Sequence, residues 1–209
     1  MIEVEKYLRK FPSDQDQISL SELRIILKEF AKNLDEKVLG DVVEFGCYKG
    51  ETSEFFFEIL RDEKSQKNLW LYDSFEGLPQ KTREDFSIIG VDFKKGELFA
   101  AKAKIEEKFA KIGAKNVRIV KGFFAEIADR KVPNEICFAF FDGDFYASIR
   151  DSFAKCEKKF ASKATIIVDD YSNEKLPGAK KAVDEWCEKN AKKIENFREE
   201  KSLAIINLK

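Results

Sequence analysis

Residues 136–144 read ICFAFFDGD, an apolar run that ends in the carboxylates Asp142 and Asp144. A second run, ATIIV at residues 164–168, ends in the pair Asp169 and Asp170. Short runs of apolar, aromatic and β-branched residues are typical of buried parallel strands. Both acidic pairs are therefore predicted to lie at the ends of parallel strands, at the edge of an open α/β sheet where ligands bind.

These four carboxylates would repel one another in a low-dielectric site, because neighbouring like charges raise each other's pKa values. A cation would neutralise them, and oxygen ligands suit Mg²⁺, Mn²⁺ or Ca²⁺ better than zinc. We expect Gly143 to let its two acidic neighbours turn toward one site. Turn formation and helix capping are the alternative for Asp142 and Asp144. Two pairs after adjacent strands are harder to explain in that way, so the sequence favours a metal site.

Strand and helix patterns alternate along the whole chain. Strands are predicted at residues 41–45, 69–72, 117–120, 136–141 and 164–168, with two shorter ones near 195–198 and 203–207. Helices are predicted at residues 18–34, opened by Ser19 or Ser21, and at 51–60, 97–112, 146–160 and 179–192. The predicted fold class is α/β: one doubly wound, mostly parallel, seven-stranded domain over 39–209, after an N-terminal helical segment at 1–38.

The composition argues against several classes of function. The 38 basic and 39 acidic residues give a net charge of −1, so no global field attracts nucleic acid or a membrane. The sequence contains no histidine, and the four cysteines have no zinc-site spacing. It shows no leader pattern and no apolar run near the ~18 residues of a membrane span. We expect a soluble, cytoplasmic protein with neither nucleic acid nor membrane as partner; a homo-oligomer is compatible with the sequence.

The first strand-to-helix turn has the sequence EFGCYKGETS at residues 44–53. Gly46 permits a tight turn, and Gly50 lets the next helix begin close by with free N–H groups. A dinucleotide fingerprint requires glycine where Tyr48 stands, so a smaller anion such as a carboxylate is favoured over a pyrophosphate. Taken alone, a purely structural turn explains the pattern as well as a ligand site does.

Asp73 ends the second predicted strand, roughly 20 residues beyond the glycines. An acidic side chain at this place accepts hydrogen bonds from ribose hydroxyls in nucleoside-binding proteins, whereas the alternative is a cap or turn former. Coming after the glycine turn, Asp73 favours a nucleoside ligand. Glu44 could hold an amino group near the same turn.

Five motifs occur in the order seen in the macrocin O-methyltransferase family, which this chain resembles from about Gly40 to about Trp186. They are Glu44-x-Gly46-x-Tyr48-x-Gly50, Asp73-Ser74-Phe75-Glu76-Gly77-Leu78-Pro79, Val120-Lys121-Gly122-Phe123-Phe124, Asp142-Gly143-Asp144-Phe145-Tyr146-Ala147-Ser148 and Ile167-Val168-Asp169-Asp170-Tyr171. The resemblance implies a Rossmann-like, S-adenosylmethionine-dependent O-methyltransferase fold. It also implies methylation of a hydroxyl on a sugar, a glycoside or another vicinal-diol small molecule.

The resemblance further implies a role for individual residues. Asp142, Asp169 and Asp170 would bind Mg²⁺ or another hard divalent cation, and Asp144 would be the general base. The residues expected to bind S-adenosylmethionine are Glu44, Gly46, Tyr48, Gly50, Ser53, Asp73, Ser74, Gly122, Phe123 and Asp142. Phe123 could equally belong to the hydrophobic core.

Residues 79–96 form a long irregular stretch that contains Phe86, Ile88, Ile89, Val91 and Phe93 among charges. Such loops are often functional, so a lid that helps to select the substrate is expected, with a subunit contact or an unstructured excursion as alternatives. Three other functions remain open at this point. They are a metal-dependent phosphotransferase or hydrolase, a glycosyltransferase that uses the Asp-x-Asp cluster, and a non-catalytic module that binds S-adenosylmethionine.

Overall fold

The computed structural model describes residues 1–10, 17–90 and 93–209. The strands are β1 (Asp41–Phe45), β2 (Leu69–Asp73), β3 (Val117–Lys121), β4 (Ile136–Phe141), β5 (Phe160–Val168), β6 (Ile194–Glu200) and β7 (Leu203–Leu208). The α-helices are α1 (Glu5–Leu8), α2 (Leu20–Asp35), α3 (Glu51–Asp62), α4 (Lys102–Lys111), α5 (Tyr146–Cys156) and α6 (Pro177–Asn190). Short 3₁₀ turns lie at Arg83–Asp85, Phe124–Glu126, Asp129–Lys131 and Ala191–Lys193.

The strands form one seven-stranded sheet in the order β3-β2-β1-β4-β5-β7-β6. Strands β1 to β5 are parallel, whereas β7 is antiparallel to both β5 and β6. The predicted α/β class and mostly parallel sheet are therefore confirmed. The order changes direction at β1, whose last residue Phe45 is in register with Tyr72 of β2 and Phe141 of β4. Ligand sites in open α/β sheets lie at such a reversal, beyond the carboxyl ends of the strands.

Apolar residues cover both faces of the sheet. Helices α2, α3 and α4 pack on one face, where the rings of Phe30 and Phe138 lie 4.9 Å apart. Helices α5 and α6 pack on the other, where Phe153 lies between Phe141 (5.1 Å) and Trp186 (4.4 Å). Because α2 shares the core of the sheet, residues from the N-terminal segment contribute to the same hydrophobic core; the division at residue 38 stays a prediction.

Local signals set the beginnings of two helices. Ser19 caps α2 in a reciprocal capping box with Glu22, so Ser19 rather than Ser21 opens this helix. Pro177 is the first residue of α6, two residues before the predicted start at residue 179. Proline fits this position because the N–H group that it lacks has no partner in the first turn of a helix.

Two predicted helix boundaries were wrong. The helix predicted at 97–112 begins only at Lys102, since Leu78 pairs with this part of the chain through Leu78 N to Glu97 O (2.8 Å) and Gly96 N to Leu78 O (2.9 Å), and Leu98 has φ +56°. The helix predicted at 146–160 ends at Cys156. Strand β5 then begins four residues earlier than predicted, because the backbone next to Phe160 pairs with the start of β4.

No helix within the described ranges is both long and apolar enough to cross a membrane. The four cysteines, Cys47, Cys137, Cys156 and Cys187, are all unpaired.

Candidate functional site

A cavity of about 250 Å³ opens at the carboxyl ends of β1, β2, β4 and β5. It is lined by these residues predicted from the sequence: Gly46, Tyr48, Asp73, Ser74, Phe123, Asp142, Asp144, Asp169 and Asp170. The glycine turn and the four aspartates, which are up to 124 positions apart in the chain, thus face one space. Glu44, Gly50, Ser53 and Gly122 are the predicted site residues that do not line it.

Backbone donors from two turns hold the carboxylate of Asp73. Its Oδ2 accepts a hydrogen bond from Tyr48 N (2.9 Å) and its Oδ1 one from Phe75 N (2.8 Å). Burial raises the pKa of Asp73, and these two N–H groups oppose that rise. Gly122 lies outside the lining, but its N–H donates to the carbonyl oxygen of Asp73 (2.9 Å). The end of β2 is thereby fixed with one acidic side chain at the cavity wall.

Glu44 and Ser53 form a buried pair beneath the glycine turn. Glu44 is 1% exposed and accepts a short hydrogen bond from the Ser53 hydroxyl. Burial, together with the charge of Asp73, raises the pKa of Glu44 to about 8. A neutral or cation-paired Glu44 is the form that such a site favours. Gly50 packs under α4, where a Cβ would lie 3.3 Å from the ring of Phe109, so the close approach predicted for this glycine is present.

The four aspartates behave as one electrostatic cluster. Burial raises the pKa of Asp142 well above its usual value, and Asp169, Asp144 and Asp170 raise it further. Burial and then Asp170 do the same for Asp169. Burial, Asp170 and Asp73 raise the pKa of Asp144 to about 8. Burial and mutual repulsion therefore favour the protonated forms of these carboxyls in the absence of a cation.

Several residues at this edge have left-handed backbone conformations that non-glycine residues rarely adopt. They are Tyr48 (φ +45°), Phe75 (φ +51°), Asp144 (φ +56°) and Asp170 (φ +59°). Asp144 itself makes the unusual turn that we had expected Gly143 to provide. Position 143 requires glycine for another reason, since a Cβ there would lie 2.7 Å from the Cβ of Ser148. Strained residues of this kind cluster at functional sites.

Hydrogen bonds already engage two of the predicted metal ligands. Asp169 Oδ1 accepts from Asp170 N (2.8 Å) and from the Ser202 hydroxyl (3.3 Å), and Asp170 Oδ1 accepts from Asn173 Nδ2 (2.8 Å). Among the residues that the structure describes, none of the hydrogen bonds reaches the carboxylates of Asp142 or Asp144. In this conformation no group of three or more acidic, cysteine or histidine side chains within those ranges is arranged to hold a metal ion.

The cavity also has an apolar wall, formed by Leu78, Pro79, Phe93, Leu98 and Leu176. Pro79 and Phe93 belong to the segment predicted as a lid, whereas Leu78, Leu98 and Leu176 were not predicted to line the site. Leu98 lies in the stretch 97–112 that is predicted as a helix, but its positive φ and the pairing of its neighbours with Leu78 place it at the cavity. Leu78 belongs to the quoted Asp73–Pro79 motif, so its position in that motif was an available signal. Asn173 was also missed, although it follows the Asp169-Asp170 pair by only three positions.

The segment predicted as a lid, residues 79–96, borders this wall. Phe93 lines the cavity, whereas Phe86 and Ile88 are 76% and 93% exposed. Val91 lies outside the described residues. The Ser87 hydroxyl donates a hydrogen bond to the carbonyl oxygen of Glu174 (2.8 Å). The segment is thereby attached at Ser87 to the loop that precedes α6. Movement of the segment as a lid stays a prediction.

Comparison with known proteins gives one family match over most of the chain. The model of the family described as macrocin O-methyltransferase (TylF) matches residues 18–199. The chain is 26% identical over 145 residues to 8-demethyl-8-(2,3-dimethoxy-α-L-rhamnosyl)-tetracenomycin-C 4'-O-methyltransferase of Streptomyces olivaceus, a match that covers 66% of this chain and 56% of that protein. It is 24% identical over 165 residues to mycinamicin III 3''-O-methyltransferase of Micromonospora griseorubida, covering 75% and 64%. The matched part thus spans less than two thirds of either relative.

Solved structures confirm the predicted methyltransferase fold. The O-methyltransferase NovP superimposes with a TM-score of 0.81 at 22% identity, covering 96% of this chain and 85% of that one. The calicheamicin methyltransferase CalS11 superimposes with a TM-score of 0.77 at 17% identity, covering 98% and 89%. At these identities the likeness concerns the fold alone.

Proposed function

Because this chain belongs to the macrocin O-methyltransferase family, we propose that it transfers the methyl group of S-adenosylmethionine to a sugar hydroxyl. The observation that carries the proposal is the cavity shared by the glycine turn with Asp73 and by the aspartate cluster. The first part offers a nucleoside site and the second a base for a hydroxyl group. A phosphotransferase or a glycosyltransferase would explain the second part only.

The residues suit the parts of S-adenosylmethionine. Asp73 is held with its carboxylate at the cavity wall, where ribose hydroxyls could donate to it. Glu44 lies buried beneath the glycine turn with a raised pKa, and an ammonium group that approached it would lower that pKa and pair with the ionised carboxylate. Ser74 and Phe123 line the same cavity and could contact the nucleoside. The proposed cofactor site is completed by Gly46, Tyr48, Gly50, Ser53, Gly122 and Asp142. Those that do not line the cavity, Gly50, Ser53 and Gly122, would act by shaping the turns.

Asp144 is proposed as the general base. Burial and Asp170 raise its pKa to about 8, close to neutral pH, and the ionised fraction of this carboxyl would accept the hydroxyl proton. As the acceptor oxygen forms its bond to the methyl carbon, the carbon–sulfur bond breaks, S-adenosylhomocysteine leaves, and Asp144 keeps the hydroxyl proton. Placing oxygen and carbon about 3–3.5 Å apart would supply much of the acceleration.

The donor set of Asp142, Asp169 and Asp170 fits a hard divalent cation such as Mg²⁺ in its chemistry, since all the ligand atoms are oxygens and burial raises the pKa values of the three carboxyls. Bound there, the cation would lower the pKa of an acceptor hydroxyl and orient it. Asp169 and Asp170 would have to exchange their present hydrogen bonds for it.

The proposed acceptor class is supported by the names of two relatives, which act on a rhamnosyl derivative of tetracenomycin C and on mycinamicin III. A rhamnoside is the first candidate, because one of these names specifies a rhamnosyl group. A cytoplasmic location is part of the proposal, since four unpaired cysteines fit a reducing compartment.

The proposal is tested by calorimetric titration of S-adenosylhomocysteine into the protein with and without Mg²⁺. Saturable binding is expected, weakened at least about tenfold by Asp73→Ala, as loss of a charged hydrogen-bond partner predicts. Asp129→Ala is the control, because this side chain is 87% exposed and outside the cavity lining. Methyl transfer is then assayed with 4-nitrophenyl α-L-rhamnoside and TDP-rhamnose. Absence of binding under both conditions would reject the cofactor assignment.

A further inference from the structure

Asp85 is a buried acid outside the proposed catalytic and binding residues. It ends the 3₁₀ turn Arg83–Asp85 and is 2% exposed. Its Oδ2 accepts hydrogen bonds from the N–H (2.7 Å) and the hydroxyl (2.9 Å) of Thr82. Its Oδ1 accepts a third from the N–H of Tyr146 (2.7 Å), which is 61 positions further along the chain. A surface segment is thereby tied to the first residue of α5.

The hydrogen bond to Tyr146 replaces a missing cap. The first N–H groups of a helix have no hydrogen-bond partner inside the helix. The side chain of the residue just before the helix usually accepts a hydrogen bond from one of them. Phe145 occupies that position in α5 and provides no such bond. Asp85 therefore caps α5 from outside, and its charge also suits the positive end of the helix dipole.

Asp144 lies two residues before Tyr146 and has a left-handed backbone at φ +56°. A non-glycine residue stays in this conformation only where its surroundings hold it there. Phe145 N donates to Gly143 O (2.6 Å), and this hydrogen bond spans Asp144. Tyr146 N, two residues after Asp144, donates to Asp85. The backbone around Asp144 is thus held on both sides.

Helix α6 packs against the same point. A Cβ at Gly178 would overlap Asp85 Oδ1 and lie 2.8 Å from Tyr146 N. The beginning of α6 therefore encloses the hydrogen bond between Asp85 and Tyr146, and this enclosure excludes water that would otherwise compete for the N–H group.

We propose that Asp85 is a positioning residue for the reaction: by capping α5 it holds the backbone that directs Asp144 into the cavity. Asp85 does not line the cavity and so acts through residues 144–146. This role rests on the proposed function of Asp144. Residues 82–85 would therefore stabilise the start of α5, whether or not the exposed residues that follow them move as a lid.

The test compares Asp85→Ala, Asp85→Asn and Gly178→Ala with Glu84→Ala. Glu84 is the matched control, since it lies in the same 3₁₀ turn and pairs with Lys181 (3.4 Å), not with the start of α5. Amide hydrogen exchange of residues 144–148 and the kcat and KM of methyl transfer with the rhamnoside acceptors named above are measured. We expect Asp85→Ala and Gly178→Ala to speed exchange and lower kcat at least about tenfold, with KM for S-adenosylmethionine nearly unchanged. Asp85→Asn keeps an acceptor oxygen and should lie between them and the unchanged protein.

The outcomes separate this role from the proposed function. An active protein in which Asp85→Ala matches Glu84→Ala in exchange and kcat overturns the positioning role alone. A parallel loss of kcat, S-adenosylhomocysteine affinity and thermal stability also overturns it, because that pattern indicates general structural damage. If the unchanged protein binds no S-adenosylhomocysteine and transfers no methyl group, the proposed function fails and the positioning role fails with it, whatever the exchange shows.

Discussion

Gly46 lies directly against the backbone of Asp142. A Cβ at position 46 would be 2.7 Å from the carbonyl carbon of Asp142 and would overlap its oxygen, and Gly46 itself has φ +95°. The turn after β1 and the acidic turn after β4 are therefore in van der Waals contact through a position where only glycine fits. The glycine turn and the aspartate cluster therefore form one packed unit.

Replacing Gly46 by alanine should destabilise the protein by about 2–5 kcal/mol, the sum of backbone strain and overpacking. Gly113→Ala is the control, because Gly113 also has positive φ (+70°) but nothing within 4 Å of its Cβ position. Urea unfolding of both variants gives the comparison. Equal free energies of unfolding would show that the contact with Asp142 has no energetic weight.

Asp144→Asn should leave the affinity for S-adenosylhomocysteine nearly unchanged and lower kcat at least about 10²-fold, as loss of a general base predicts. Affinity is measured by calorimetry and turnover by product formation. Asp151→Asn serves as control, since Asp151 pairs with Arg150 (2.7 Å) in α5 and lies outside the cavity lining. Full activity of Asp144→Asn would remove Asp144 from the role of base.

Binding of Mg²⁺ should release protons, in a number that falls as the pH is raised. Burial and mutual repulsion raise the pKa values of Asp142 and Asp169, so protons held there would leave when a cation replaces them. Calorimetry in two buffers of different ionisation enthalpy counts these protons, and Asp170→Asn should bind Mg²⁺ more weakly. Methyl transfer that persists after complete chelation would contradict the metal site.

Glu44 should make stability depend on pH. Its pKa is about 8 in the folded protein against an ordinary value of 4.5, so the folded state holds more protons between these values. The contribution of this group to the free energy of unfolding is thus largest below about pH 4.5. It is lost as the pH rises toward 8, at up to about 1.4 kcal/mol per pH unit.

The variant Glu44→Gln lacks this titration, so its free energy of unfolding should fall less steeply from pH 5 to pH 8. Asp144 titrates in both proteins and cancels in the comparison. Urea unfolding at several pH values measures both slopes. Identical slopes would place the Glu44 carboxyl at an ordinary pKa.

Local sequence patterns predicted the elements and the aspartates of the site, because strand periodicity, glycine turns and strand-terminal carboxylates depend on neighbouring residues. Where prediction failed, a distant partner was responsible. Leu78 pairs with residues 96–97 and so delays the start of α4, and strand pairing with β4 advances the start of β5 to Phe160.

Local sequence patterns were enough to predict the alternating strands and helices, a serine cap at residue 19 or 21, and the acidic ends of β4 and β5. Assembly of the fold selected Ser19 as the cap, placed β1 between β2 and β4, brought Leu98 to the cavity, and made Asp85 the cap of a helix that begins 61 residues away. The difference lies in how far apart the interacting residues are in the sequence. Side-chain periodicity and backbone preference act over a few residues, whereas these contacts form only when the whole sheet has assembled and each buried polar group must find a partner.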